Sequence, residues 1–256
     1  MDFSLASRFT SASQQARVTT EAWAQENLYC ANCDSEHLCA APPNTQVVDF
    51  TCKGCAETFQ LKSQSSRIGI RVTDSGYDAM CRAIRANQIP NLILLHYDRA
   101  NWRVENAILI PSFGFSLAAV EKRKPLAPTA RRAGWVGCNI LLSSIPGDLR
   151  LPLVTNAQGV DPSTVREQYR TMSVLRSLNV TTRGWLLDVL NVARSLNKQE
   201  FNLSELYLHD QHLSTLHPRN LNVRPKIRQQ LQKLRDMGLL TFAGNGTYRW
   251  NASRIN

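Results

Sequence analysis

The sequence predicts an α/β (α+β) core followed by a small carboxy-terminal domain of three helices and a hairpin. Three observations predict it. Through the first two thirds of the 256 residues, short apolar runs of strand length alternate with stretches of helical period. Two Cys-x2-Cys steps, Cys30 to Cys33 and Cys52 to Cys55, lie inside that region. From about Thr181 onward the pattern turns to amphipathic helices and closes on the Gly-Asn-Gly triplet 244–246.

Taken in order, residues 13–25 have helical character, with Val18 and Ala22 on one face. Residues 40–44, which include Pro42 and Pro43, read as a loop. Residues 46–50 and 57–62 alternate in the manner of strands. A short helix is expected over 77–86, and buried strands over 91–97 and 105–110. Residues 122–138 hold two prolines, two glycines and five basic residues, the composition of an ordered loop. A strand over 151–155 and a polar helix over 162–178 follow. Beyond them, Thr182 is placed to cap a helix over 184–196 that buries Leu186, Val189, Leu190 and Ala193. Ser204 begins a second helix, and Pro225 suits the first position of a third, in which Ile227, Leu231 and Leu234 recur at helical spacing. Strands over 239–242 and 247–250 complete a winged-helix arrangement. The expected domains are therefore 1–178 and 179–256.

At 43% hydrophobic and 20% charged residues the chain can bury a full core, which excludes a disordered or fibrous class. No apolar run of about 18 residues occurs, so no membrane span is expected. Residues 1–4 lack the basic-then-apolar pattern of a secretory signal, and the expected setting is the cytoplasm. In that reducing setting the seven cysteines serve as ligands or core thiols. The net charge of +10 points to a polyanionic partner. Residues 176–256 hold 12 Lys+Arg against 5 Asp+Glu, so phosphate contact is expected above all in the last third.

Cys30, Cys33, Cys52 and Cys55 form C-x2-C-x18-C-x2-C, the spacing of a structural zinc site. Four thiolates close a tetrahedral shell, so this Zn2+ holds the fold and leaves no open position for chemistry. Gly54 is expected to free the backbone for the second turn. Cys39, Cys81 and Cys138 have no partner at metal spacing.

The second cysteine pair lies between Asp49 and the triplet Gln60-Leu61-Lys62. In a strand Gln60 and Lys62 share a face, and a hairpin bent at the cysteines would bring Asp49 beside them. This is the pattern of PD-(D/E)xK nucleases, in which Asp49 and the Gln60 oxygen would hold Mg2+ and Lys62 would orient the attacking water. Taken alone, an Asp followed by Gln-x-Lys also recurs by chance on solvated strands.

Residues 124–140 (KPLAPTARRAGWVGCNI) and 226–236 (KIRQQLQKLRD) resemble the DpnI family of methyl-directed restriction endonucleases. The order of features is similar as well: an early helix with Ala16-Arg17 and Thr20-Glu21, the cysteine pairs, the Asp and Leu-Lys strands, the basic loop with Trp135, and the final winged helix. The resemblance implies a PD-(D/E)xK core with an embedded zinc ribbon, and cleavage of double-stranded GATC that carries 6-methyladenine, with both domains binding the methylated sequence. It assigns catalysis to Asp49 and Lys62, zinc to the four cysteines, and methyl contact to Trp135. Where the family has a glutamate this chain has Gln60, which keeps an oxygen but loses a charge. Glu21 and Glu57 are the carboxylates able to compensate, and spacing places neither.

Lys226, Arg228, Gln229, Gln232 and Lys233 fall off the apolar face of the third carboxy-terminal helix and can meet the major groove. Arg131 and Arg132 suit phosphates, and the Trp135 ring suits an apolar methyl. The expected partner is duplex DNA with 6-methyladenine, met by a monomer with no membrane involved. Two other readings remain open from sequence: a methyl-adenine DNA reader with weak or lost nuclease activity, and a zinc-ribbon plus winged-helix transcription factor.

Overall fold

A computed structural model describes residues 1–42 and 45–251. In chain order these form α1 (Ala12–Asn27), β1 (Cys39–Ala40), β2 (Phe50–Thr51), β3 (Thr58–Gln64), β4 (Arg71–Gly76), α2 (Tyr77–Ala86), β5 (Asn91–Asp98), β6 (Arg103–Ile110), β7 (Val120–Lys122) and β8 (Gly137–Leu141). There follow β9 (Leu151–Thr155), β10 (Gln158–Gly159), α3 (Pro162–Met172), α4 (Val180–Ser195), β11 (Glu200–Asn202), α5 (Leu203–Tyr207), α6 (Asp210–Leu216), α7 (Val223–Asp236), β12 (Leu240–Gly244) and β13 (Thr247–Trp250). No helix among the described residues is long and apolar enough to cross a membrane.

The chain divides into two compact units. The first comprises Met1–Gly69, Ile89–Ser112 and Leu149–Arg170; the second comprises Ile70–Gln88, Phe113–Asp148 and the chain from Thr171 onward. In the first unit a seven-stranded sheet runs in the order β1-β2-β3-β5-β6-β9-β10. β3 and β5 are parallel, and the other neighbours are antiparallel. Leu92 to Leu95 on β5 are all buried, which explains the continuous apolar run where a half-exposed strand would alternate. α1 lies along β3 on a stripe of Thr19, Thr20 and Ala24, where the Thr20 hydroxyl donates to Ser63 Oγ at 3.0 Å. The buried stripe is therefore this small-residue one, and Val18 and Ala22 are only half-buried.

The expected strand over 46–50 is shorter than its alternation implies. Val47 has φ 64°, a left-handed conformation that interrupts extension, and β2 starts only at Phe50. Of the expected loop over 40–44, Ala40 belongs to β1, while Pro43 and Asn44 lie outside the described residues.

In the second unit, β4, β8 and β7 form a three-stranded sheet joined by α2. α4 is buried on nearly all sides from Arg183 to Leu190, more than the one-sided stripe its sequence suggests. Its cap is Asn179, whose side chain accepts from the Thr182 N–H at 2.9 Å; Thr182 is the residue capped, not the cap. α7 starts at Val223, so Pro225 sits two residues inside, where a helix still has no use for its missing N–H. The helix expected over 162–178 ends at Met172 and tightens into a 3-10 turn over Ser173–Ser177. The ribbon gains a third strand, β11, giving the order β11-β13-β12. Its turn needs three left-handed residues in a row, Gly244 (φ 92°), Asn245 (φ 49°) and Gly246 (φ 74°), which is why Gly-Asn-Gly stands there.

Candidate metal centre and nucleic-acid interface

The first Cys-x2-Cys step follows α1, and the second forms the turn between β2 and β3. The four sulfurs lie within 4.8 Å of one another, with Cys30–Cys55 and Cys33–Cys52 at 3.5 Å. Four thiolates at about 2.3 Å from one ion stand about 3.8 Å apart, so the cluster has the dimensions to hold zinc. Burial works against a thiolate at Cys52. Hydrogen bonds from Ser35 and from the N–H groups of Cys55 and Gly54 outweigh it and bring its pKa down to about 6. Burial pushes the Cys30 thiol up. Arg166 on α3 clamps the first turn, donating to the carbonyls of Cys30 at 3.1 Å and Ser35 at 3.2 Å.

Gly54 is required for space and not for a left-handed backbone. A Cβ there would press on Ser35 Oγ and come within 3.2 Å of Cys33 Sγ. The left-handed residue of the turn is Ala56, φ 59°.

The same turn fixes Asp49. Its N–H donates to the Phe59 carbonyl at 2.9 Å, and its Oδ2 accepts from the Leu61 N–H at 2.7 Å. The carboxylate is thereby held against β3 at the residue between Gln60 and Lys62. Those two are half-buried on β3, paired with Leu92 and Leu94 of β5. Asp49 and Leu61 also line a cavity of about 690 Å³, whose α1 wall includes Arg17 and Glu21; Gln60 and Lys62 do not line it. Oxygen donors of this kind suit a hard cation such as Mg2+.

A buried polar network steadies the base of the hairpin. Asn91 Nδ2 donates to Glu57 Oε2 at 2.7 Å and to the Thr58 carbonyl at 3.0 Å. The Tyr169 hydroxyl donates to Glu57 at 3.3 Å and to Asn91 Oδ1 at 3.2 Å, tying β3, β5 and α3 together. Such a network specifies register because every displaced partner would leave a buried polar group unpaired.

In the second unit the basic loop before β8 is internally hydrogen-bonded, with Leu126 and Trp135 joined across it at 2.9 Å. Arg131 and Arg132 are exposed, and the Arg132 guanidinium stands 5.0 Å from the Trp135 ring. The indole lies on the backbones of Gly76 and Gly137; a Cβ on Gly137 would come within 2.9 Å of ring atoms. These glycines are a flat platform that leaves the ring half-buried. On α7, Ile227, Gln230, Leu231 and Leu234 face the core. Arg228, Gln229 and Gln232 are exposed, while Lys226 and Lys233 are half-buried. Lys226 donates to Gln229 at 2.8 Å and Gln232 to Asp236 at 2.7 Å.

The sequence names Arg17 only as part of the early helix and assigns it no partner, although its i,i+4 spacing from Glu21 is the signal of a paired helix face. It also passed over Leu221, 93% exposed one residue ahead of the α7 cap. A lone surface leucine in a turn carries no periodic signal.

A cysteine-clustered α/β unit with a carboxy-terminal helix-turn-helix and wing is the build of a DNA-acting protein. Residues 1–178 match the Dam-replacing family (DpnI), and residues 181–250 match the Dam-replacing HTH domain. The chain belongs to the Dam-replacing family, a family of methyl-directed restriction endonucleases.

Proposed function

We propose that the chain cuts double-stranded DNA at adenine-methylated GATC-type sites by Mg2+-dependent hydrolysis, as a type II methyl-directed restriction endonuclease of the PD-(D/E)xK kind. The single observation that carries this reading is the Asp49 carboxylate pinned to the Leu61 N–H, between Gln60 and Lys62, in a chain of this family. Asp49 and Gln60 hold the metal, and Lys62 orients the attacking water while its charge offsets that building on phosphorus. A bound Mg2+ supplies Lewis-acid polarisation of the phosphate and a more acidic water. We place the functional boundary near residue 178, with 1–178 cutting and also meeting DNA through Arg131, Arg132 and Trp135, and 179–256 reading DNA through Lys226, Arg228, Gln229, Gln232 and Lys233. The chain acts as a cytoplasmic monomer in this reading. Gln60, which lacks the family's carboxylate, favours one second reading, a methyl-adenine reader with weak or lost nuclease activity.

Plasmid grown with and without adenine methylation, incubated with the protein and Mg2+ or a chelator, separates the two. Cutting of the methylated plasmid alone, abolished by chelation, is the expected result. A methyl-selective shift without cutting would establish the second reading, and cutting of both plasmids alike would end the first.

Trp135 is expected to recognise the methyl group by transferring it from water onto its ring. Burying one methyl is worth about 0.8 kcal/mol, or roughly fourfold in affinity. Trp135→Ala should therefore lower the ratio of binding to methylated over unmethylated duplex by about that factor per contact. An unchanged ratio in a titration of both duplexes would remove Trp135 from methyl recognition.

A further inference from the structure

The turn between α6 and α7 holds an apolar side chain out in solvent. α6 ends at Leu216 and α7 begins at Val223, and Leu221 between them is 93% exposed. With Arg219, Asn220 and Lys226 it lines a cavity of about 620 Å³, which Trp185 of α4 also lines. Single exposed leucines are ordinary on protein surfaces, and Leu208, 82% exposed, is one of them. Leu221 differs in where it stands and in how firmly the turn is held.

The turn is fixed from beneath. The His217 ring stacks on Trp185 with centroids 3.8 Å apart and is hydrogen-bonded to the Asp188 carboxylate at 2.8 Å, which anchors the start of the turn to α4. The Asn220 N–H donates to the His217 carbonyl at 3.0 Å, and the Asn222 N–H donates to Asn220 Oδ1 at 2.8 Å. Leu221 lies between those two bonded residues, so little freedom is lost when it meets a partner. With its oxygen taken, Asn220 has its amide NH2 left to donate.

In a helix-turn-helix the start of the recognition helix reaches base edges in the major groove. There each unmodified base pair shows donors and acceptors, and thymine alone adds an apolar point, its 5-methyl group, beside the acceptor O4. An aliphatic side chain flanked by an amide donor matches that edge, and Arg219 and Lys226 match the phosphates beyond it. The exposed α7 residues expected to read bases, Arg228, Gln229 and Gln232, are polar and offer a methyl group nothing.

We propose that Leu221 is a specificity-determining residue of the winged helix, reading a thymine through its 5-methyl group. This rests on the reading of 179–256 as a DNA-reading domain. Leu221 then takes a methyl present in every duplex, methylated at adenine or not, and the 6-methyl group is left to Trp135.

The test is gel-shift titration of the full-length protein, with chelator and at one salt concentration, on adenine-methylated GATC duplexes carrying thymine or uracil. Uracil lacks only the 5-methyl group. The parent is expected to bind the thymine duplex about fourfold more tightly per contact, the effect of burying one methyl. Leu221→Ala should bring that ratio close to one, and Leu221→Met, still apolar, should keep it; thermal melting of each variant checks the fold. If Leu221→Ala keeps the parent's ratio, or the parent shows no preference, the proposal is overturned and the DNA-reading domain stands. If Leu221→Ala instead lowers the preference for 6-methyladenine over adenine duplexes, Leu221 reads the adenine methyl and the thymine assignment falls. If the parent shifts no duplex, the reading of 179–256 falls with it.

Discussion

Exchange of Cys33 for serine is expected to release zinc and unfold the first unit. Metal binding contributes directly to folding where the ligands come from separate segments, with apparent values of about 10–16 kcal/mol in small zinc domains. The whole stability of a typical domain is about 5–15 kcal/mol, so the unit has little reserve without the ion. Here the ligands join the loop after α1 to the β2–β3 turn, and no disulfide among the described residues substitutes for them. Asp49 lies three residues before Cys52, so the hairpin proposed as catalytic should lose its alignment first. The measurements are metal content by mass spectrometry and thermal melting of parent and variant. About one zinc per chain in the parent, lost in the variant with a large fall in melting temperature, is the expected pattern. A parent that is folded and metal-free would refute the zinc assignment.

The second large effect concerns the hairpin itself. Asp49→Asn retains an oxygen that can accept the Leu61 N–H, so the fold should survive while the proposed metal site loses its anionic ligand. Lys62→Met keeps the length of the side chain and removes its charge. Each is expected to slow cutting of methylated duplex by at least about 10²–10³-fold, the cost of deleting one electrostatic contact to a transition state. Methyl-selective binding should persist in both, because the proposed reading surfaces are the Trp135 loop and α7, not the β2–β3 hairpin. Single-turnover cleavage measured beside gel-shift titration checks the pair of outcomes. Full-rate cutting by Lys62→Met would show that the strand motif is accidental.

Much of the fold is legible in the sequence. The helix over 77–86 and the strand over 151–155 match their apolar periods residue for residue. Both owe their form to local pattern and to burial that the pattern already demands. The boundaries that moved did so where a single residue outweighs a run. Val47 turns left-handed and shortens β2, Asn179 takes the cap from Thr182, and β11 emerges only because β13 offers it an edge. Pairing of that kind joins segments some forty-five residues apart, and no local signal encodes it.

By itself the sequence determined the four-cysteine cluster, since two Cys-x2-Cys turns can satisfy one ion only by converging. It also determined the winged helix, because helical period, Pro225 and Gly-Asn-Gly act locally. Only the tertiary structure decided which oxygen of Asp49 is bonded to β3, why Gly54 must be glycine, and what the Trp135 ring rests on. It alone placed Glu21 and Glu57; strand parity set Glu57 apart from Gln60, but sequence could place neither. Charge tells a carboxylate what it can bind, but only packing fixes its neighbours: α1 carries Glu21 to the cavity of Asp49, while Asn91 and Tyr169 claim Glu57.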